Sequence, residues 1–135
     1  MPRGLGLLLA LALAVALAIP AAAAADDDDG SRGDVRVTGT CSGSGEAELR
    51  VRQRGDGELR VDLVLRTRQR GESWVVVIVH ERRLAFRGRL RASRSSGTIS
   101  LRRTVRDLFG EDTVSVRASG PRGATCRASA TVVDS

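Results

Sequence analysis

His80 is the only histidine of the chain, and it closes the apolar run Trp74-Val75-Val76-Val77-Ile78-Val79. An imidazole works as a general base only beside a group whose proton it can take and another that orients it. No serine stands in a nucleophile-elbow setting. The paired acids Glu111 and Asp112 fall at an irregular corner, where a carboxylate is ordinarily solvated. His80 therefore reads as a packing or surface residue at a strand end. The glycine-rich turns lack the strand-then-helix setting that phosphate loops need. Neither an enzyme nor a metal or cofactor site is expected.

Cys41 and Cys126 are the only cysteines. There is no C-x-x-C pair, so a disulfide is a simpler reading than redox or metal chemistry. Closing so long a loop contributes about 4.5 kcal/mol in the chain-entropy description. That contribution matters here, because one Trp and two Phe are the only large anchors of the core.

Arginine is the remaining chemistry. The chain has 22 arginines and no lysine, asparagine or tyrosine, the pattern of GC-rich coding, which weakens the case that any single arginine was chosen for its planar fork. The charge is real all the same. Setting aside Arg3 and Asp26 to Asp29 leaves 21 arginines against 12 acids, a balance that favours anionic partners. Arg50, Arg52, Arg60 and Arg66 share the outer face of one expected hairpin with Glu46, Glu48, Glu58 and Asp62. Arg87, Arg89, Arg91 and Arg102 are expected on the outer face of a second hairpin with few acids, and they form the candidate anion-binding site. The bland alternative is a solvated face in a lysine-free protein. Base stacking is not expected, since no exposed aromatic is predicted beside these arginines. Arg-Gly-Asp occurs at Arg32-Gly33-Asp34 and at Arg54-Gly55-Asp56, where Gly-Asp is first of all what turns are made of.

The elements that must position these groups are strands. Residues 74–80 contain five β-branched residues in succession and are cut off by turn formers, too short a run for a helix. Being apolar on both faces, this strand belongs inside a sheet with its second face at least partly covered. Val35 and Val37 begin a first strand that runs to Cys41. Ala47, Leu49 and Val51 alternate with charged residues, as do Leu59, Val61, Leu63 and Leu65. A three-residue loop at Gly55-Asp56-Gly57 sets Val51 against Val61, Leu49 against Leu63 and Ala47 against Leu65, whereas a two-residue loop puts Val51 against Asp62. Glu81-Arg82-Arg83 leaves a two- or three-residue loop open. The turn at Arg94-Ser95-Ser96-Gly97 is expected to close a hairpin with Ala92 opposite Ile99 and Leu90 opposite Leu101. Residues 107–112 form a corner that tucks in Leu108 or Phe109, and strands follow over Val114 to Ala118 and Ala124 to Val132. The expectation is an all-β fold, an antiparallel β-sandwich or partly open barrel of about eight strands.

Residues 1–25 read as a signal peptide: a positive start at Arg3, an apolar stretch from Leu5 to Ile19, and an alanine run fit for cleavage near Ala23 to Ala25. The rival is an uncleaved anchor over Gly4 to Ala25. Residues 26–33 form an acidic flexible linker, and 34–135 a single domain. Cys, Trp and Cys in that order invite comparison with an immunoglobulin domain, but Trp74 lies too far beyond Cys41, and there is no tyrosine for a tyrosine corner. Val35-Arg36-Val37-Thr38-Gly39-Thr40-Cys41-Ser42, Gly71-Glu72-Ser73-Trp74 and Arg117-Ala118-Ser119-Gly120-Pro121 resemble segments of small secreted two-cysteine β-sandwich proteins of high-GC Gram-positive bacteria. That family carries no assigned activity, so the resemblance implies export and fold alone. The expected protein is thus a secreted, monomeric, non-enzymatic binding or structural module of unknown partner. An anionic cell-wall polymer or nucleic acid is the alternative that the arginines suggest.

Overall fold

The computed structural model describes residues 33–133; the expected signal peptide and all of the acidic linker but Gly33 lie outside the described residues. Nine strands are formed: β1 Asp34–Thr38, β2 Thr40–Cys41, β3 Glu46–Arg54, β4 Glu58–Arg66, β5 Ser73–His80, β6 Arg83–Arg91, β7 Thr98–Arg106, β8 Glu111–Ser119 and β9 Thr125–Val133. They make two antiparallel sheets, in the orders β1-β3-β4-β7 and β2-β9-β8-β5-β6. The architecture is therefore a sandwich with open edges, not a barrel. Among the described residues no helix is long and apolar enough to cross a membrane.

Alternation builds the core. Leu49, Val51, Leu59, Val61, Leu63 and Leu65 of the first sheet meet Trp74, Val76, Ile78, Val114, Val116 and Ala118 of the second, all buried. The β3–β4 hairpin has the register read from the sequence, with Val51 opposite Val61, Leu49 opposite Leu63 and Ala47 opposite Leu65. Strand β5 is internal, between β8 and β6. Its Trp74, Val76 and Ile78 face the core, while Val75, Val77 and Val79 are half-buried on the outer face.

Two expectations are corrected where the chain changes sheets. The first strand does not run unbroken to Cys41; it divides at Gly39, so that β1 pairs with β3 and β2 with β9. A Cβ on Gly39 would stand 2.5 Å from the Arg127 carbonyl oxygen, so the crossing requires a residue without one. The expected hairpin of Leu90 and Ala92 with Leu101 and Ile99 does not form either. One closing bond, from Ser93 N–H to the Thr98 carbonyl, is made, and then the strands part: Ala92 N–H donates to the Glu72 carbonyl. Strand β6 joins β5, with Leu90 opposite Trp74, and β7 joins β4, with Leu101 opposite Leu63 and Ile99 opposite Leu65. Both strands offer an apolar inner face, so alternation alone cannot tell a hairpin from a corner between sheets.

Cys41 and Cys126 are bonded, directly opposite one another on β2 and β9. The disulfide fixes the two-residue strand β2 to the sheet, which fits an oxidising compartment.

Candidate anion-binding face

Each sheet turns a charged face to solvent, and the two are built differently. On the four-stranded sheet, acids and arginines interleave and pair. Arg36 lies 3.5 Å from Glu48, and Arg50 Nε donates to Asp34 Oδ1 at 2.9 Å. Asp62 is met by three guanidinium groups, from Arg52 at 3.2 Å, Arg60 at 3.4 Å and Arg102 at 2.7 Å. The Arg50 hydrogen bond holds the Asp34 carboxyl below its ordinary 3.8, with burial opposing.

The outer face of the five-stranded sheet carries Arg87, Arg89 and Arg91 on β6, Arg117 on β8 and Arg127 on β9, all exposed. None of the five makes an ion pair among the described residues. Their neighbours on that face are Val75, Val77 and Val79 of β5 and the hydroxyl residues Ser115, Ser119, Thr125 and Ser129. Among the described residues carboxylates stand at its two ends, where Glu72 pairs with Arg122 at 3.3 Å, Glu81 accepts from the Thr113 N–H, and Glu111 begins β8.

Register arranges the arginines in an L. Along β6, Arg87, Arg89 and Arg91 recur at about 6.7 Å, the two-residue strand step. Across the sheet, Arg87, Val77, Arg117 and Arg127 fall in one row, with neighbouring strands about 4.8 Å apart. Val77, Val79, Ser115, Arg117, Arg127 and Ser129 line a shallow depression of about 470 Å³ on this face.

The expected grouping is thus brought together in part. Arg87, Arg89 and Arg91 share a face and an edge strand, whereas Arg102 lies on β7 in the other sheet, bonded to Asp62. The reason is the chain's crossing at residues 93–97, which sends β6 and β7 to different sheets. Arg117 and Arg127, not singled out from the sequence, take its place. Their outward direction was legible, since each alternates with buried residues; that β8 lies beside β5, which brings them into the row of Arg87, was not.

His80 takes the packing place among the two that its strand-end position allows. It is buried, and its Nε2 lies 2.6 Å from Oδ1 of Asp112, which is itself wholly buried and also accepts the Leu108 N–H. Asp112 is therefore not a solvated corner acid. The group turned inward at this corner is its carboxylate, and Leu108 and Phe109, expected inside, are exposed. The cavity beside His80 is lined by Arg83, Leu84, Ala85, Val105, Arg106 and Leu108. Its lining offers no hydroxyl or thiol, and the pair ties β5 to β8. Among the described residues no three His, Cys, Asp or Glu side chains gather as metal ligands. The Arg54-Gly55-Asp56 triplet sits at the exposed β3–β4 turn, while Asp34 of the other triplet is held by Arg50.

Searches for a matching family model, a similar curated protein and a similar solved structure each find none.

Proposed function

We propose that this chain is an exported binding module whose five-stranded sheet holds an anionic polymer outside the cell, a cell-wall polyanion, on its outer face. The observation that carries the reading is the contrast between the two faces. On the four-stranded sheet Arg36, Arg50, Arg52, Arg60 and Arg102 each meet a carboxylate, whereas among the described residues Arg87, Arg89, Arg91, Arg117 and Arg127 of the other sheet meet none. Uncompensated guanidinium groups on a rigid sheet attract and orient an anionic chain, and each can grip an oxyanion through two N–H donors. The signal-like segment and the disulfide support an extracellular setting. The face displays no aromatic side chain for base stacking, which favours a wall polymer over single-stranded nucleic acid.

The test is a binding titration of the purified protein against a polyol-phosphate wall polymer from low to physiological salt, beside an Arg87→Ser/Arg89→Ser/Arg91→Ser variant. The expected result is binding that weakens steeply with salt in the native protein and a flatter, weaker curve in the variant. Equal inertness of both at low salt would sink the proposal. Tighter retention of duplex DNA than of the wall polymer would move the reading to nucleic acid.

A further inference from the structure

We infer that Arg117 and Arg127 form a subsite for a tetrahedral oxyanion, the phosphate or sulfate ester group of the bound polymer, in preference to a carboxylate. The inference rests on the reading of this face as a polyanion surface and names the chemistry it selects.

Arg117 and Arg127 are directly opposite in the β8–β9 register, both exposed and neither ion-paired among the described residues. Like charges placed opposite one another on neighbouring strands repel and weaken the sheet. Two neighbouring rungs match complementary groups: the Thr113 and Thr131 hydroxyls are 3.0 Å apart, and those of Ser115 and Ser129 are 3.1 Å apart. The arginine pair is the rung of this ladder that sets like charges opposite each other, and an anion between them would relieve it.

The arrangement of the oxygens decides which anion. A carboxylate can meet several guanidinium groups through single N–H contacts, as Asp62 does, but its acceptor lone pairs lie in one plane, so two complete forks must both lie in that plane. A phosphate or sulfate ester presents three non-bridging or terminal oxygens in tetrahedral array, or two in a diester, off the plane of a single fork, so two forks on adjacent strands can hold it together. The hydroxyls of Ser115 and Ser129 adjoin the arginine rung; one donates to the other, which leaves the second O–H to donate to a further oxygen. Val77 and Val79 form the apolar floor of the adjoining depression, where the uncharged carbon skeleton between two anionic groups would rest. Arg87, in the same row beyond Val77, is placed to take the next anion.

Three polymers with one backbone separate the possibilities: dextran sulfate, phosphorylated dextran and carboxymethyl dextran at matched length and substitution. Each is titrated at fixed salt against the native protein, an Arg117→Gln/Arg127→Gln variant and the Arg87→Ser/Arg89→Ser/Arg91→Ser variant, with thermal unfolding to verify that the variants are folded. The native protein is expected to hold at least one ester polymer about fivefold or more tighter than the carboxylate polymer, and the tighter of the two identifies the ester. That preference disappears in the Arg117→Gln/Arg127→Gln variant, whereas the β6 variant binds all three more weakly with the preference intact. Equal affinity of the native protein for esters and carboxylate, or a preference that survives the double substitution, overturns the subsite while leaving the polyanion reading in place. Failure of all three polymers to bind at low salt overturns both.

Discussion

At the scale of single residues, Asp112 is wholly buried against His80, a contact across 32 positions, and its Oδ1 accepts from the Leu108 N–H as well. Asp112→Ala would leave the His80 Nε2 and the Leu108 N–H without their acceptor, and it is expected to cost about 2 to 3 kcal/mol. Urea unfolding measures that loss, and polymer binding by the folded fraction should stay unchanged, because the pair lies inside the sandwich. Asp34 makes a separate prediction. Its folded-state carboxyl titrates below the ordinary 3.8, chiefly through the Arg50 hydrogen bond. The stability it contributes is thus complete above that value and is lost as pH falls through the lower, folded one. This half-buried pair, still reached by solvent, contributes about 0.5 kcal/mol. Asp34→Asn should therefore lower the denaturation midpoint at pH 6 and leave it unaltered at the most acid pH where the protein still folds.

At the scale of elements, hairpins were legible and crossings were not. The β3–β4 register followed from apolar residues that had to share a face, a constraint contained within the two strands. The β5–β6 turn was left open because strand β5 is apolar on both faces and penalises neither loop. The structure uses the two-residue loop, with His80 opposite Arg83, and accommodates it with an irregularity between Ile78 and Val79. Glu81 and Arg82 both take positive φ, 48° and 63°, a conformation that costs a side-chain-bearing residue about 1 kcal/mol. Glu81 is tied down, its backbone N–H donating to the Thr113 carbonyl and its carboxylate accepting in return. Arg82 has no such tie, so Arg82→Gly is expected to remove strain at little loss of contact. Glycine's greater freedom in the unfolded chain offsets part of the gain, leaving a stabilisation of a few tenths of a kcal/mol, about 0.5 at most. A melting curve that shifts downward would contradict this. On the other flank of β6, Arg103 of β7 lies over the Phe86 ring at 4.4 Å from its centroid, and Gly88 leaves room for that ring, since a Cβ there would stand 2.6 Å from it. This contact between the edges of the two sheets replaces the hairpin expected from alternation.

At the scale of the whole molecule, two sheets of similar composition differ in how their charge is spent. The all-β class and the disulfide were readable from period, turn residues and cysteine count, but the asymmetry of charge was not, because it depends on strand order. The acids at 46, 48, 58 and 62 and the arginines of β1, β3, β4 and β7 are gathered in one sheet, while in the other Arg87, Arg89, Arg91, Arg117 and Arg127 share an outer face with Glu111 only at its end and Asp112 turned inward. Composition gives one net charge; topology divides it into a compensated face and an uncompensated one. A polymer held by general attraction to a basic protein would respond to any lost arginine. One held by the five-stranded sheet would respond only there, since exposed charges farther apart than about 10 Å are largely screened at 0.1 M salt. Arg36→Ser/Arg66→Ser on the four-stranded sheet and Arg89→Ser/Arg117→Ser on the other remove the same charge. The first pair is expected to change polymer affinity at 0.1 M salt by less than about twofold, and the second by about tenfold, on the order of 0.7 kcal/mol for each lost contact. Equal losses from the two faces would mean that net charge alone draws the polymer and that the order of the strands has no part in holding it.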